Sequence, residues 1–124
     1  MLRAAVISAA VLFGAAAFAF AGDQGEPDKG CDGSTYEMVE CLKAKTAQWD
    51  KRMTIAYEEK LKEAEPKQRE QLRVAQRLWV KFRDANCLYY DLGEGTIARI
   101  DTGNCMVEMT KRRAIELEEA GERK

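Results

Sequence analysis

The sequence predicts an all-α fold, a small antiparallel three-helix bundle stapled by two disulfides. Three observations carry that expectation. Apolar residues recur three and four positions apart through three long stretches. Those stretches are divided by Glu65-Pro66 and by "DLGEGT", Asp91 to Thr96. Four cysteines also sit in a chain of only 124 residues, an even number that suits two bridges.

The chain opens with "MLRAAVISAAVLFGAAAFAFAG": one cation at Arg3, an apolar run, then Ala19-Phe20-Ala21. That is the layout of a secretory signal peptide over residues 1–21, cut between Ala21 and Gly22. The apolar run is Ala-rich and short for a membrane span, which takes roughly 20 residues. No cysteine stands at the cut, and the first one, Cys31, lies well beyond it, so no lipid-modified terminus is expected. About 103 residues remain, a single small domain. Loss of Arg3 leaves 19 basic against 21 acidic residues, a net charge of −2. Nucleic-acid binding, with its basic footprint, is therefore not expected. Nor is a membrane span expected once the signal is removed.

Residues 22–33, "GDQGEPDKGCDG", read as an irregular lead-in. Ser34-Thr-Tyr-Glu37 then forms a capping box, in which hydroxyl and carboxylate each take one free amide of the first turn. Met38, Leu42, Trp49, Met53, Ala56 and Leu61 follow at helical spacing, giving a first helix over about 34–64. Glu65-Pro66 ends it, because the residue before proline avoids helix and proline has no amide to donate.

The second helix is expected over about 67–90, with Leu72, Ala75, Trp79, Phe82 and Asn86 on one face. "IARIDTGN" is ambiguous between a short helix and an extended piece, with Gly103 expected to interrupt it. The last helix is expected over about 104–120, with Met106, Met109, Ala114 and Leu117 inward and a frayed tail at 121–124. The helical domain thus covers 34–120.

A hairpin at Pro66 brings the start of the first helix beside the end of the second. Cys31, Cys41, Cys87 and Cys105 should then gather at one pole. Two pairings satisfy this: Cys41–Cys87 with Cys31–Cys105, and Cys31–Cys41 with Cys87–Cys105. A four-cysteine metal site lacks the close C-x₂₋₄-C spacing such sites favour, and no metal or other cofactor is expected.

"QRLWVKFRDANC" places Gln76, Trp79, Arg83 and Cys87 on one helical stripe. A tryptophan there reads as core. An inward guanidinium needs a carboxylate, since an unpaired buried charge is costly. Asp50, Glu40 and Glu37 are the candidates, while Asp84 points about 100° away, toward the last helix or solvent. The stripe therefore reads as fold-determining rather than as a site.

Three motifs together resemble the LprI-type lysozyme-inhibitor family. They are C…T-Y-E-M-V-E-C at Cys31–Cys41, L-x-x-A-Q-R-x-W-x-x-F-R-D-A-N-C at Leu72–Cys87, and G-T…C-x-x-x-x-T-x-x-R-A-x-x-L from Gly95 through Leu117. The resemblance marks Gln76, Trp79, Arg83, Asp84, Thr110 and Arg113 as signature positions with structural roles. It implies a small, exported, cysteine-bridged helical domain of the bacterial envelope, periplasmic or secreted, whose partner is a protein such as lysozyme.

Inhibition would proceed by occlusion of the enzyme's cleft. On that reading Tyr89, Tyr90, Asp91 and Glu94, at and beside the polar loop, are the expected partner contacts, since tyrosines near a polar loop suit an interface. A second function class fits the same chain: an envelope interaction module that associates with itself or another exported protein, using an apolar flank of the long first helix. An enzyme is not expected. The chain has no histidine, no nucleophile elbow and no phosphate loop.

Overall fold

The computed structural model describes residues 30–122. Three helices account for nearly all of it: α1 (Thr35–Glu63), α2 (Pro66–Asp91) and α3 (Ile97–Glu122). The expected signal peptide and residues 22–29 of the lead-in lie outside the described residues. None of the described helices is long and apolar enough to cross a membrane.

Each helix begins and ends for a local reason. At α1, Ser34 Oγ accepts from the Glu37 amide at 3.3 Å, and Glu37 Oε2 accepts from the Ser34 amide at 2.8 Å, completing the capping box. At its other end, Ala64 is extended before Glu65-Pro66. Pro66 also opens α2, where a missing amide costs nothing in the first turn. Arg69 then reaches back from α2 and donates to the Leu61 carbonyl at 2.8 Å and the Ala64 carbonyl at 3.0 Å. Its guanidinium takes up carbonyls that α1 leaves open, and so closes the interhelix turn.

Contacts between helices fix their directions. Gly103 lies against Leu42, and Arg52 meets Glu118, so α1 and α3 run parallel. Cys87 is bonded to Cys105 and Gln76 meets Arg113, so α2 runs opposite to α3. Met53 and Asp50 on α1 meet Gln76 and Arg83 on α2, again antiparallel. The bundle is thus antiparallel in the expected sense. α3 packs most extensively on α1 and also on α2, while α1 and α2 reach each other through these side chains.

The core joins Leu42, Trp49, Met53 and Ala56 of α1 to Val107, Ala114 and Leu117 of α3. Leu72 and Trp79 of α2 pack against it half-buried. Trp49 lies between two cations, with Arg52 at 4.8 Å and Lys111 at 5.4 Å from the ring centroid. Arg52 also grips Glu118 with two hydrogen bonds, at 2.6 and 2.8 Å.

Four expectations are corrected. The ambiguous "IARIDTGN" segment is the first two turns of α3, and Gly103 does not interrupt it. Its role is steric: a Cβ there would stand 2.8 Å from Leu42 Cδ1 and 2.9 Å from Leu42 Cβ. A glycine therefore lets α3 approach α1 where any other residue would hold them apart. Second, α3 runs from Ile97 to Glu122, beginning seven residues before and ending two residues after the expected bounds of about 104–120. Third, Val107 and Thr110 are more deeply buried on α3 than Met106 and Met109. Fourth, the α2 face from Leu72 to Asn86 is split: Leu72 and Trp79 pack against the core, whereas Ala75 and Asn86 are exposed and Phe82 is 61 % exposed. The buried residues are Gln76 and Cys87, on the stripe read as inward. The bond from Cys87 and the partners needed by Arg83 turn that side inward, overriding the apolar side.

Both disulfides are local to the pole where α1 and α3 begin. Cys31 pairs with Cys41 and Cys87 with Cys105, which resolves the two pairings left open by sequence, and none of the four is a free thiol. They close loops of 10 and 18 residues, each worth about 3 kcal/mol through the unfolded chain.

Two outcomes follow from this packing. Gly103→Ala should destabilise the protein by about 1–2 kcal/mol in urea unfolding, although alanine is the better helix former, because overpacking against Leu42 outweighs propensity. A neutral or stabilising result would show that the helices can separate freely. The second concerns Glu118, whose carboxyl is held below its ordinary value chiefly by the hydrogen bond from Arg52. A depressed carboxyl contributes stability above its unfolded value, about pH 4.3, and loses it as pH falls through the lower folded value. The melting-temperature gap between wild type and Glu118→Gln should be present at neutral pH and close under acid. The pair is half exposed, so the gap should correspond to less than about 1 kcal/mol.

The inward stripe and the candidate interaction surface

The stripe singled out by sequence is a junction between helices. Arg83 has a side chain only 11 % exposed. Its guanidinium contacts Asp84 Oδ1 at 2.9 Å, Asp50 Oδ1 of α1 at 3.5 Å and Thr110 Oγ1 of α3 at 3.4 Å. Asp50 was among the expected partners, while Asp84 departs from the expectation that it would turn elsewhere. The arginine side chain is long enough to fold across the helix surface and meet its sequence neighbour. Thr110, fully buried, accepts one of the guanidinium hydrogens.

Arg113, equally buried, donates to Gln76 Oε1 at 3.0 Å and pairs with Glu116 at 2.9 Å. Trp79 sits between the two cations, 5.3 Å from Arg83 and 5.9 Å from Arg113. Gln76, Trp79, Arg83, Asp84, Thr110 and Arg113 thus form one cluster across α2 and α3, with Asp50 as its link to α1. Its polar groups satisfy one another within the chain.

The residues expected to contact a partner lie at the disulfide pole, at and beside the loop 92–96. Leu92 ends α2 with its amide to the Leu88 carbonyl, and Gly95 takes φ +76, a left-handed backbone that glycine adopts without strain. Cys87–Cys105 ties the two helices directly beneath this loop. Tyr89 and Tyr90 meet edge to face with centroids 5.3 Å apart. Tyr89 and Leu92 are each 76 % exposed and Ile97 57 %.

The four expected contact residues are not all on one surface. Tyr89, Tyr90 and Glu94 line a shallow groove of about 430 Å³ with Leu92, Ile97 and Asp101. Asp91 stands instead on the rim of a larger groove of about 780 Å³, between the first turns of α1 and α3. Tyr36, Val39 and Met106 supply apolar lining there, with Lys43 and Arg99 beside them. Leu92 and Ile97 in the smaller groove and Tyr36 in the larger are exposed apolar residues that the sequence did not single out. Leu92 in a glycine-flanked loop was the one available signal, since an apolar residue there has no core to enter.

Fold and cluster together define a small all-α domain, cystine-bridged at one pole, with its most distinctive side chains committed to packing. The chain belongs to the lysozyme-inhibitor family called LprI: the family model described as "Lysozyme inhibitor LprI" matches residues 28–117. No curated protein and no solved structure matches the chain.

If the cluster is structural, Arg83→Ala should lower unfolding free energy by about 1–3 kcal/mol, from lost charge-assisted hydrogen bonds and lost contact with Trp79. Arg83→Lys should recover only part of this, because a compact ammonium lacks the planar fork that spans acceptors on three helices and lies over Trp79. Wild-type stability in the alanine variant would remove the cluster from the account of the fold.

Proposed function

We propose that the protein is an exported lysozyme inhibitor, acting by steric occlusion and without chemistry of its own. Membership of the LprI family carries this reading. The pole supports it: exposed Tyr89, Leu92 and Ile97 offer apolar and aromatic surface, and the adjoining disulfide limits the ordering that binding would demand. Asp91, Glu94 and Asp101 make the loop region predominantly acidic, suited to a cationic enzyme, since complementary charge speeds encounter and fixes orientation. Occlusion requires only that this convex end seat in the substrate cleft. The two disulfides and the signal-like N-terminus agree with a periplasmic or secreted location.

Titration of the purified oxidised protein into animal-type and other lysozymes should reduce muramidase activity to a plateau set by stoichiometry. Undiminished activity of every lysozyme type at excess inhibitor would overturn the proposal. Glu94→Lys combined with Asp101→Lys should weaken inhibition of the susceptible enzyme by about ten-fold at low salt. That gap should narrow as salt rises, because rim charges act mainly through screened attraction.

A further inference from the structure

We propose that this protein forms a symmetric homodimer through the outer face of α2, with the two helices packed antiparallel. This rests on the face itself and stands whether or not the protein inhibits lysozyme. Because Tyr89, Asp91 and Leu92 belong to both surfaces, the dimer and a lysozyme complex exclude each other. α2 turns Gln76, Arg83 and Cys87 inward, and about half a turn around the helix lies a second stripe: Ala75, Leu78, Phe82, Ala85, Tyr89 and Leu92. Leu78 is 60 %, Phe82 61 %, and Tyr89 and Leu92 each 76 % exposed. The six positions alternate steps of three and four residues without a break, the repeat by which one helix seats against another. An apolar flank for self-association was expected on α1. There only Ile55 is a large exposed apolar residue beyond the first turn, so the unpartnered flank belongs to α2.

Three features select a second copy of this chain as the occupant. First, the stripe complements itself in size. In an antiparallel pair with the two-fold axis between Arg83 and Asp84, Phe82 faces the small Ala85 of the other copy. Ala75 faces Leu92, and Leu78 faces Tyr89, so bulky residues meet small ones at two of every three layers.

Second, the charges along one flank reverse from one half of α2 to the other. Arg77 and Lys81 occupy the first half, and Asp84 and Asp91 the second. The same antiparallel register brings Arg77 toward Asp91 and Lys81 toward Asp84 of the other copy. Asp84 also holds Arg83 of its own chain, yet its side chain remains 56 % exposed. A parallel pair would set like charge beside like.

Third, the area is sufficient. Leu78, Phe82, Tyr89 and Leu92 expose on the order of 500 Å², near the upper range for the largest apolar patch of a monomer. With Val74 and Leu88 at the rim, two such faces approach the roughly 1,200 Å² at which specific interfaces begin.

The test is sedimentation equilibrium of the oxidised mature protein over a wide micromolar range. Reversible dimerisation is expected, stronger at low salt. Leu78→Glu and Phe82→Glu each place a carboxylate at the seam and should weaken association by at least about ten-fold. Both positions are exposed and precede the loop by two or more turns, so helicity and thermal melting should stay near wild type. Arg77→Glu should also weaken the dimer, and combining it with Asp91→Arg should restore it. A monomer at every concentration would overturn the proposal, as would a dimer indifferent to both glutamate variants. Failure of the charge swap to restore association would equally overturn it, because it excludes this pairing.

Discussion

A guanidinium that is nine-tenths buried must be surrounded by acceptors, and no single helix can supply enough of them. Arg83 meets this demand by drawing on all three helices: Asp50 from α1, Asp84 from its own α2 and Thr110 from α3. Because hydrogen bonds are short-ranged, that set exists in only one axial register of the bundle. Arg113 repeats the arrangement with Gln76, and Trp79 fills the space between the two cations. Apolar packing alone would tolerate a helix sliding or turning. A buried cation with named acceptors does not, since each displacement leaves charge unpaired.

The covalent bridges act in the same direction at one end of the molecule. Cys87–Cys105 joins the end of α2 to α3 beside the arginine cluster, while Cys31–Cys41 folds the lead-in onto α1. Opposite the pole, the chain relies on non-covalent devices: Arg69 closing the turn after α1, and Arg52 clamped to Glu118 over Trp49. Rigidity is therefore concentrated where the loop 92–96 is displayed. A loop supported by a disulfide and a buried charge cluster has little freedom left to lose.

Orienting α2 by charge and disulfide has a cost for solubility. Its inner side carries glutamine, arginine and cysteine, so much of its apolar surface is left outward at Leu78, Phe82 and Leu88. In a small domain the exposed fraction is already large, and such a stripe is a surface that favours association. The family signature and the outward stripe thus occupy opposite sides of one helix. The first is satisfied within the chain and the second is not.

Sequence by itself determined α1, α2, the later part of α3, the capping box, the break at Pro66, the clustering of cysteines and the family, because these depend on neighbours a few residues apart or on a distinctive motif. It also marked the stripe from Gln76 to Cys87 as inward and placed Asp50 among the partners of Arg83. Only the tertiary structure decided which cysteines pair, how α2 is rotated, that Gly103 permits close approach rather than breaking a helix, and which loop residues share a groove. The reason is common to all four. Helical periodicity names faces without saying which face meets which neighbour, and that choice follows from distances between residues far apart in the chain. For α2 periodicity offered two overlapping faces that share Trp79, and a buried guanidinium and a covalent bond decide for the one holding Gln76 and Cys87 over the one holding Phe82.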